Sequence, residues 1–169
     1  MSIYYMEQQT FSTKDKYQIY DTNRQQILEA TGNRSTGTFD RVFGNFFSIG
    51  YTLNVNNIEG ELVFTLNKKR GFIWSHYDML VNKDLHASIQ EEKSLFKSNL
   101  IINSSLGEYK VNGDVFAKNF TINKAQNTVA KIKKKTFSFG DSYEISVYEE
   151  DNYKLFIATA IAIDNCKHN

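Results

Sequence analysis

The sequence has no proline and one cysteine among its 169 residues, and its formal net charge is only +1. The absence of proline excludes proline-rich linkers, and a single cysteine, Cys166, excludes an intrachain disulfide and fits a reducing compartment. The balanced charge lacks the basic excess that marks most nucleic-acid-binding domains. We therefore expect a cytoplasmic protein that does not bind nucleic acid.

Long apolar stretches are also missing. A membrane-spanning helix needs roughly 20 apolar residues, and the longest apolar run, Leu155 to Ile163, is about half that length. The N-terminus has neither the apolar segment nor the cleavage site of a secretory signal. The sequence therefore predicts no transmembrane segment.

Apolar and aromatic residues are plentiful, at 41% and 14% of the chain, and they follow a period of two. Examples are residues 17–20, 61–66 and 109–111, each bounded by Asn, Asp or Gly. Short alternating segments of this kind, repeated along a chain, are typical of a β-sandwich or β-barrel. We count roughly a dozen candidate strands.

A weak internal repeat lies within this pattern. In each copy a strand ends in an Asx residue, and a polar turn and a second strand follow, at Asp21, Asn82 and Asn123. Asx side chains favour turns because they bond the local backbone and tolerate left-handed geometry. The repeat therefore predicts three hairpins.

The C-terminal run breaks the alternation. From Leu155 to Ile163 it is apolar without alternation, with Thr159 as its one hydroxyl residue, and Asp151 or Asn152 could cap a helix at its start. A helix that is apolar on every side must be buried on every side. A strand is the alternative, because β-branched isoleucines occur in this run.

Several blocks in order resemble the LURP-one-related branch of the tubby C-terminal-like proteins, which includes small bacterial members. The blocks are 17–21, 109–114, 119–122, 129–132, 141–145 and 151–164. The resemblance implies that residues 1–169 form one domain with a mainly β fold. It would be a closed antiparallel barrel of about 12 strands around a buried helix at about 152–164. It also implies a distant similarity to phospholipid scramblases and, through the tubby proteins, a link to phosphoinositides.

Lysine clusters are the candidate site for anionic phospholipid headgroups. In an extended strand the side chains of Lys131, Lys133 and Lys135 project to the same side, and each could contribute about 1 kcal/mol near a charged bilayer. The other interpretation is a solvated strand whose lysines discourage edge pairing. The complete candidate set is Lys68, Lys69, Arg70, Lys131, Lys133, Lys134 and Lys135.

The sequence predicts no catalytic residues, metal or cofactor. His76, His86 and His168 lack the paired spacing of a zinc site. The sequence around Cys166 contains no known signature of a catalytic nucleophile. The acidic residues 149–151 lack the spaced oxygen ligands and the glycine of a calcium loop. They suit the positive end of a helix better.

Three functional hypotheses follow. The first is a non-enzymatic binding module, cytoplasmic or peripheral at the inner membrane face, whose partner is an anionic membrane surface. The second is a protein–protein interaction or scaffold protein with no lipid role. The third, an enzyme or ligand carrier with its site at a barrel mouth, conflicts with a helix that fills the lumen. The oligomeric state is left open.

Overall fold

A computed structural model describes residues 1–9, 16–33, 52–69, 75–92, 99–113, 118–137 and 140–167. Within these segments twelve strands precede a short 3-10 turn, Glu150–Asn152, and the helix α1, Tyr153–Lys167. The strands are β1 (Ser2–Gln8), β2 (Lys16–Tyr20), β3 (Gln26–Asn33), β4 (Thr52–Asn57), β5 (Leu62–Lys68), β6 (His76–Val81), β7 (Asp84–Glu92), β8 (Asn99–Ser104), β9 (Gly107–Asn112), β10 (Asn119–Lys124), β11 (Asn127–Phe137) and β12 (Gly140–Val147).

The strands form a closed antiparallel barrel, as the sequence predicts. Each strand pairs with the next along the chain, and β12 closes the circle by pairing with β1. In that closing pair Ser2 lies opposite Val147, and Glu7 lies opposite Ser142. Every described strand is therefore hydrogen-bonded on both sides, which removes the exposed edges that favour aggregation.

The period of two in the sequence becomes an inside and an outside of the barrel wall. In β4, Leu53 and Val55 are buried, whereas Thr52 and Asn54 are exposed. The same alternation runs through the other strands because successive side chains point to opposite faces of a sheet. One face of the wall thus supplies a continuous apolar core, and the other meets solvent.

The barrel has two different ends. Short turns connect β2–β3, β4–β5, β6–β7, β8–β9 and β10–β11 at one end, which we call the turn end. The opposite end, where β1 ends and β2 begins, is called the loop end. The helix α1 begins at the turn end, where Tyr153 stacks on Tyr4 with ring centroids 5.1 Å apart. It ends at the loop end.

Asx side chains close two of the turns, and one of these, at Asp21, belongs to the internal repeat. Oδ1 of Asp21 accepts hydrogen bonds from the backbone N–H groups of Asn23 at 2.8 Å and Gln25 at 2.9 Å. Oδ1 of Asn57 accepts the equivalent pair from Glu59 at 3.1 Å and Glu61 at 2.8 Å. The hairpins at Asp21, Asn82 and Asn123 are all present.

The helix α1 is the axis of the barrel, and every residue from Leu155 to Asp164 is buried. This confirms the predicted central helix, which starts at Tyr153 and continues beyond position 164 to Lys167. At the far end the Asn165 side chain donates a 2.9 Å hydrogen bond to the carbonyl of Ile161. No helix in the described segments is long and apolar enough to cross a membrane.

The alternative prediction of a C-terminal strand is wrong, and the reason is energetic. β-branched residues such as Ile157 and Ile161 cost a helix up to ~0.7 kcal/mol each in propensity. Full burial of such a side chain contributes roughly 1.5–3 kcal/mol. Because the barrel buries both completely, packing outweighs propensity.

Candidate functional site

Two of the predicted site lysines are exposed on the outer wall of β11. Lys131 and Lys133 flank the buried Ile132, so the strand turns both ammonium groups to the outside. Neither side chain forms an ion pair or hydrogen bond with any part of the chain that the structure describes. Their positive charges are therefore available to an external anion.

The other two β11 lysines are already paired. Lys134 points inward, with a side chain only 14% exposed. It forms an ion pair with Asp141 and lies 5.6 Å from the ring centroid of Tyr143. Lys135 lies on the outer wall and forms an ion pair with Glu144. Both positive charges are thus balanced within the protein.

The second predicted cluster, at the end of β5, also has one lysine that points inward and one that is exposed. Lys68 continues the inward series of Phe64 and Leu66. It is only 6% exposed, and its ammonium nitrogen lies 5.8 Å from the ring centroid of Tyr77. Lys69 is exposed, and its Nζ lies 2.6 Å from Oδ2 of Asp78. Arg70 lies outside the described residues.

The strand order separates the two clusters. Between β5 and β11 lie β6 to β10 on one side of the barrel, and β12 and β1 to β4 on the other. Equal numbers of strands on both sides place β5 and β11 opposite each other. A flat surface that contacts the wall at β11 therefore cannot also contact the wall at β5.

Lys110 joins Lys131 and Lys133 on the same side of the wall, and we call these three residues the lysine face. Thr121 on β10 lies opposite Lys131 of β11 and, on its other side, opposite Asn112 of β9. Lys110 is two residues from Asn112 and shares its outward direction. Exposed Glu108 is the nearby acid, with its carboxylate 3.8 Å from the Lys110 ammonium.

The sequence analysis missed Lys110. The alternation at 109–111 indicates that this lysine points outward, but nothing in the local sequence places it beside β11. That neighbourhood follows from the order β9–β10–β11. The closed barrel also removes the edge-protection interpretation of the β11 lysines, because β11 is paired on both sides.

A histidine, an aspartate and a serine meet on the outer face of β6 and β7. Nε2 of His76 lies 2.9 Å from Oδ1 of Asp78 and 3.2 Å from Oγ of Ser88. In a catalytic triad the two imidazole nitrogens face the acid and the nucleophile separately, whereas here one nitrogen faces both. Burial opposes the ionisation of Asp78, but hydrogen bonds and charge from Lys69 and His76 outweigh it and lower the pKa of the carboxyl group.

A buried carboxylate anchors the helix axis at the loop end. Asp164 is fully buried and accepts hydrogen bonds from the hydroxyls of Tyr17 at 2.8 Å and Tyr143 at 2.7 Å. Burial and the negative charge of Asp164 raise the pKa of the Tyr143 phenol far above its ordinary value of 10.0. Both effects favour the neutral hydroxyl of Tyr143, which donates its hydrogen bond to Asp164.

Cys166 lies two residues beyond Asp164 in α1. Burial raises the pKa of its thiol, and the negative charge of Glu91 adds to this. Hydrogen bonds with Ser75 and Tyr77 act in the opposite direction, with a smaller effect. The resulting thiol is a weak nucleophile because the thiolate is the reactive form.

The described residues contain no group of three or more His, Cys, Asp or Glu side chains that could hold a metal ion. His168 lies outside them. Along the barrel axis α1 fills the lumen with side chains. The lysine face carries exposed charges, of which those of Lys131 and Lys133 are unpaired and that of Lys110 lies 3.8 Å from Glu108.

The comparisons with known proteins agree with this architecture. The model of the LURP-one-related family matches residues 2–164. A protein of Bacillus subtilis (strain 168), named "Uncharacterized protein YxjI", is 28% identical over 160 residues, which cover 94% of this chain and 88% of that protein. No solved structure matches.

A closed twelve-stranded barrel around an axial apolar helix defines the class of protein. The family match extends over nearly the whole chain, and the chain belongs to the LURP-one-related family. The resemblance inferred from the sequence blocks is thereby confirmed.

Proposed function

We propose that this protein is a non-enzymatic binding module whose lysine face binds anionic phospholipid headgroups. In this proposal the protein is cytoplasmic and attaches peripherally to the inner face of the membrane. The observation that carries the proposal is the exposure of Lys131 and Lys133 on the outer wall without an internal partner. Because these two ammonium groups are unpaired, an anion can contact them without first breaking an ion pair within the protein.

The expected strength is modest. A lysine close to an anionic bilayer contributes about 1 kcal/mol, so Lys131 and Lys133 together contribute about 2 kcal/mol, or roughly a 30-fold change in affinity. Interactions of exposed charges are screened within about 10 Å at 0.1 M salt. We therefore expect reversible binding that weakens steeply as salt is added.

The remaining predicted site residues support this binding less directly. Lys135 lies on the same wall but is paired with Glu144, and Lys68 and Lys134 point inward. We expect Lys135 to strengthen contact only where an anion replaces its carboxylate partner. The lipid surface that we propose thus consists of Lys110, Lys131 and Lys133.

Vesicle co-sedimentation tests the proposal. The variant Lys131→Gln/Lys133→Gln removes the two exposed charges, and Lys69→Gln/Lys83→Gln removes the same charge away from the lysine face. At low salt we expect the wild type and the Lys69/Lys83 variant to bind vesicles with an anionic lipid fraction, and neither to bind neutral vesicles. The Lys131/Lys133 variant should bind roughly 30-fold more weakly.

Two results would contradict the proposal. Wild-type protein that stays in the supernatant with anionic vesicles at low salt excludes lipid binding of this kind. Equal losses in the two double variants would mean that net charge, rather than the lysine face, determines the binding. In either case the alternative of a protein-interaction module without a lipid role is favoured.

A further inference from the structure

Exposed apolar side chains are concentrated at the turn end of the barrel. Among the described residues, every large hydrophobic side chain with high exposure lies in or next to a turn at this end. They are Met1, Ile58, Leu62, Leu85, Leu106 and Tyr148. Single exposed apolar residues are ordinary, but a group of them at one place on a protein surface marks a contact site.

Four of them follow one another around the rim, and we call Ile58, Leu62, Leu85 and Leu106 the apolar arc. Their exposed fractions range from 47% for Leu106 to 66% for Ile58. They belong to the β4–β5 hairpin, the start of β7 and the β8–β9 turn. Neighbouring strands are about 4.8 Å apart, so successive members are separated by roughly one or two strand spacings.

The backbone presents these side chains rigidly. Asn57 closes the β4–β5 turn through its hydrogen bonds to Glu59 and Glu61. In the β8–β9 turn, Oγ of Ser104 accepts a 3.2 Å hydrogen bond from the N–H of Leu106 and donates one of 3.1 Å to the carbonyl of Gly107. Because these turns are already ordered, a partner would lose little entropy in fixing them.

Acidic residues alternate with the apolar arc. Within residues 57–62, 82–85 and 104–108 there are four acids and one base, Lys83, which gives a net charge of −3 (one positive minus four negative). The acids are all exposed, and they are Glu59, Glu61, Asp84 and Glu108. Exposed acids are therefore interleaved with the exposed apolar side chains, and one of the acids, Glu108, also lies 3.8 Å from Lys110.

This charge decides between the partners that an apolar surface could have. An anionic membrane would be repelled by the four carboxylates. A second copy docked through the same surface would bring like charges together, which costs several kcal/mol across an interface. A protein segment with aliphatic side chains flanked by Lys or Arg could pack its aliphatic side chains on the apolar arc and pair its basic side chains with the exposed acids.

We propose that the apolar arc docks a basic amphipathic segment of another protein. The lysine face is on the wall at β9–β11, whereas the arc is on the rim at the turn end. The two surfaces are opposite in charge, and they adjoin where Glu108 lies 3.8 Å from Lys110. The docking proposal does not depend on lipid binding. If both surfaces are occupied, the barrel connects an anionic surface to a basic partner protein.

A pair of designed peptides tests the docking. The first is an amphipathic helix of about 18 residues, with leucine on one face and lysine on the other, and the second has glutamate in place of lysine. We expect fluorescence anisotropy to show that the lysine peptide binds at least about tenfold more tightly than the glutamate peptide. Salt should weaken the binding of the lysine peptide.

Variants separate the apolar contribution from the charge. Leu62→Ser/Leu85→Ser should weaken binding of the lysine peptide about tenfold or more. Glu59→Gln/Asp84→Asn should weaken it at low salt, and the difference from the wild type should shrink as salt is added. Tyr148→Ser, on the rim beyond the arc, is the matched control and should bind as the wild type does. Lys131→Gln/Lys133→Gln should also bind normally, which keeps this test separate from that of lipid binding.

Four outcomes would overturn the proposal. They are equal binding of the two peptides, unchanged binding by the Leu62/Leu85 variant, concentration-dependent dimerisation that this variant abolishes, and vesicle binding that depends on Leu62 and Leu85. The third outcome would identify a second copy as the partner, and the fourth would identify a membrane. The surface residues substituted here are exposed, and circular dichroism should confirm that each variant is folded.

Discussion

Tyr143 of β12 donates a hydrogen bond of 2.7 Å to Oδ1 of Asp164 in α1, and Tyr17 of β2 donates one of 2.8 Å to Oδ2 of the same carboxylate. Asp164 is fully buried, so its negative charge depends on such donors instead of water. Because the two tyrosines belong to different strands, the carboxylate fixes the helix both along the barrel axis and in rotation about it.

Removal of this carboxylate should be strongly destabilising. Hydrogen bonds to charged groups contribute about 1.5–3 kcal/mol each, so the loss of both in Asp164→Ala should lower the free energy of unfolding by about 3–6 kcal/mol. Urea denaturation measures the change. Asp151→Ala, an exposed acid at the other end of the helix, should change the free energy by less than about 0.5 kcal/mol. Similar losses in the two variants would contradict the anchoring role of Asp164.

The Tyr143 phenol should make stability decrease in strong base. Its pKa in the folded protein is raised above the unfolded value near 10.0. The contribution of this phenol to the free energy of unfolding is therefore full below about pH 10. It is lost as the pH rises further, because the unfolded chain releases the proton while the folded protein retains it. The slope is about 1.4 kcal/mol per pH unit. Urea denaturation from about pH 9 to about pH 11 should show a shallower decline for Tyr143→Phe than for the wild type. Parallel declines would contradict this.

The axial helix should tolerate neither smaller nor larger side chains. Ile161 and Ala160 are both fully buried. Ile161→Ala should cost about 2–5 kcal/mol through lost burial and a cavity, and Ala160→Leu about 1–3 kcal/mol through overpacking. Chemical denaturation measures both changes. A gain in stability from Ala160→Leu would mean that the barrel axis has unfilled space beside this residue.

The two orientations of the β11 lysines give a matched pair of variants. Lys134 is inward and paired with Asp141, whereas Lys131 is outward and unpaired. Lys134→Gln should lower the free energy of unfolding by about 1–3 kcal/mol, because it weakens a largely buried charge-assisted contact. Lys131→Gln should have an effect within about 0.5 kcal/mol. Thermal denaturation in which both variants lose stability equally would contradict the assigned orientations.

Cys166 should react slowly with thiol reagents in the folded protein. Its pKa is raised by burial, and the thiolate is the reactive species. We expect the rate of reaction with Ellman's reagent to be far lower in buffer than in urea, and to rise with pH. Equal rates in the two conditions would show that the C-terminal turn of α1 is open to solvent.

The sequence alone determined the strands and hairpins of the wall. Alternation such as that of Leu53 and Val55 with Thr52 and Asn54 indicates strands because their side chains point to opposite faces. Asx residues locate hairpins because Asp21 accepts local backbone hydrogen bonds and Asn82 adopts the left-handed conformation, with a φ of 52°. These are short-range effects, and the sequence displays them directly.

The choice between helix and strand for residues 155–163 needed more than local preference. Ala158 and Ala160 favour a helix and the isoleucines favour a strand, with differences of less than about 1 kcal/mol per residue. Burial on all sides within the barrel decides in favour of the helix. A segment that is apolar throughout can only be assigned when the surroundings that cover it are known.

The candidate sites depended on tertiary structure to a greater extent. The sequence located the lysines of β5 and β11, but the strand order places the two clusters on opposite sides. It also adds Lys110 to Lys131 and Lys133. Likewise, Leu62, Leu85 and Leu106 are far apart in sequence, and they share one rim only because alternate turns of an antiparallel barrel lie at the same end. Residue type and direction are local properties, whereas a binding surface is made by residues from different strands, and the closure of the barrel determines which residues those are.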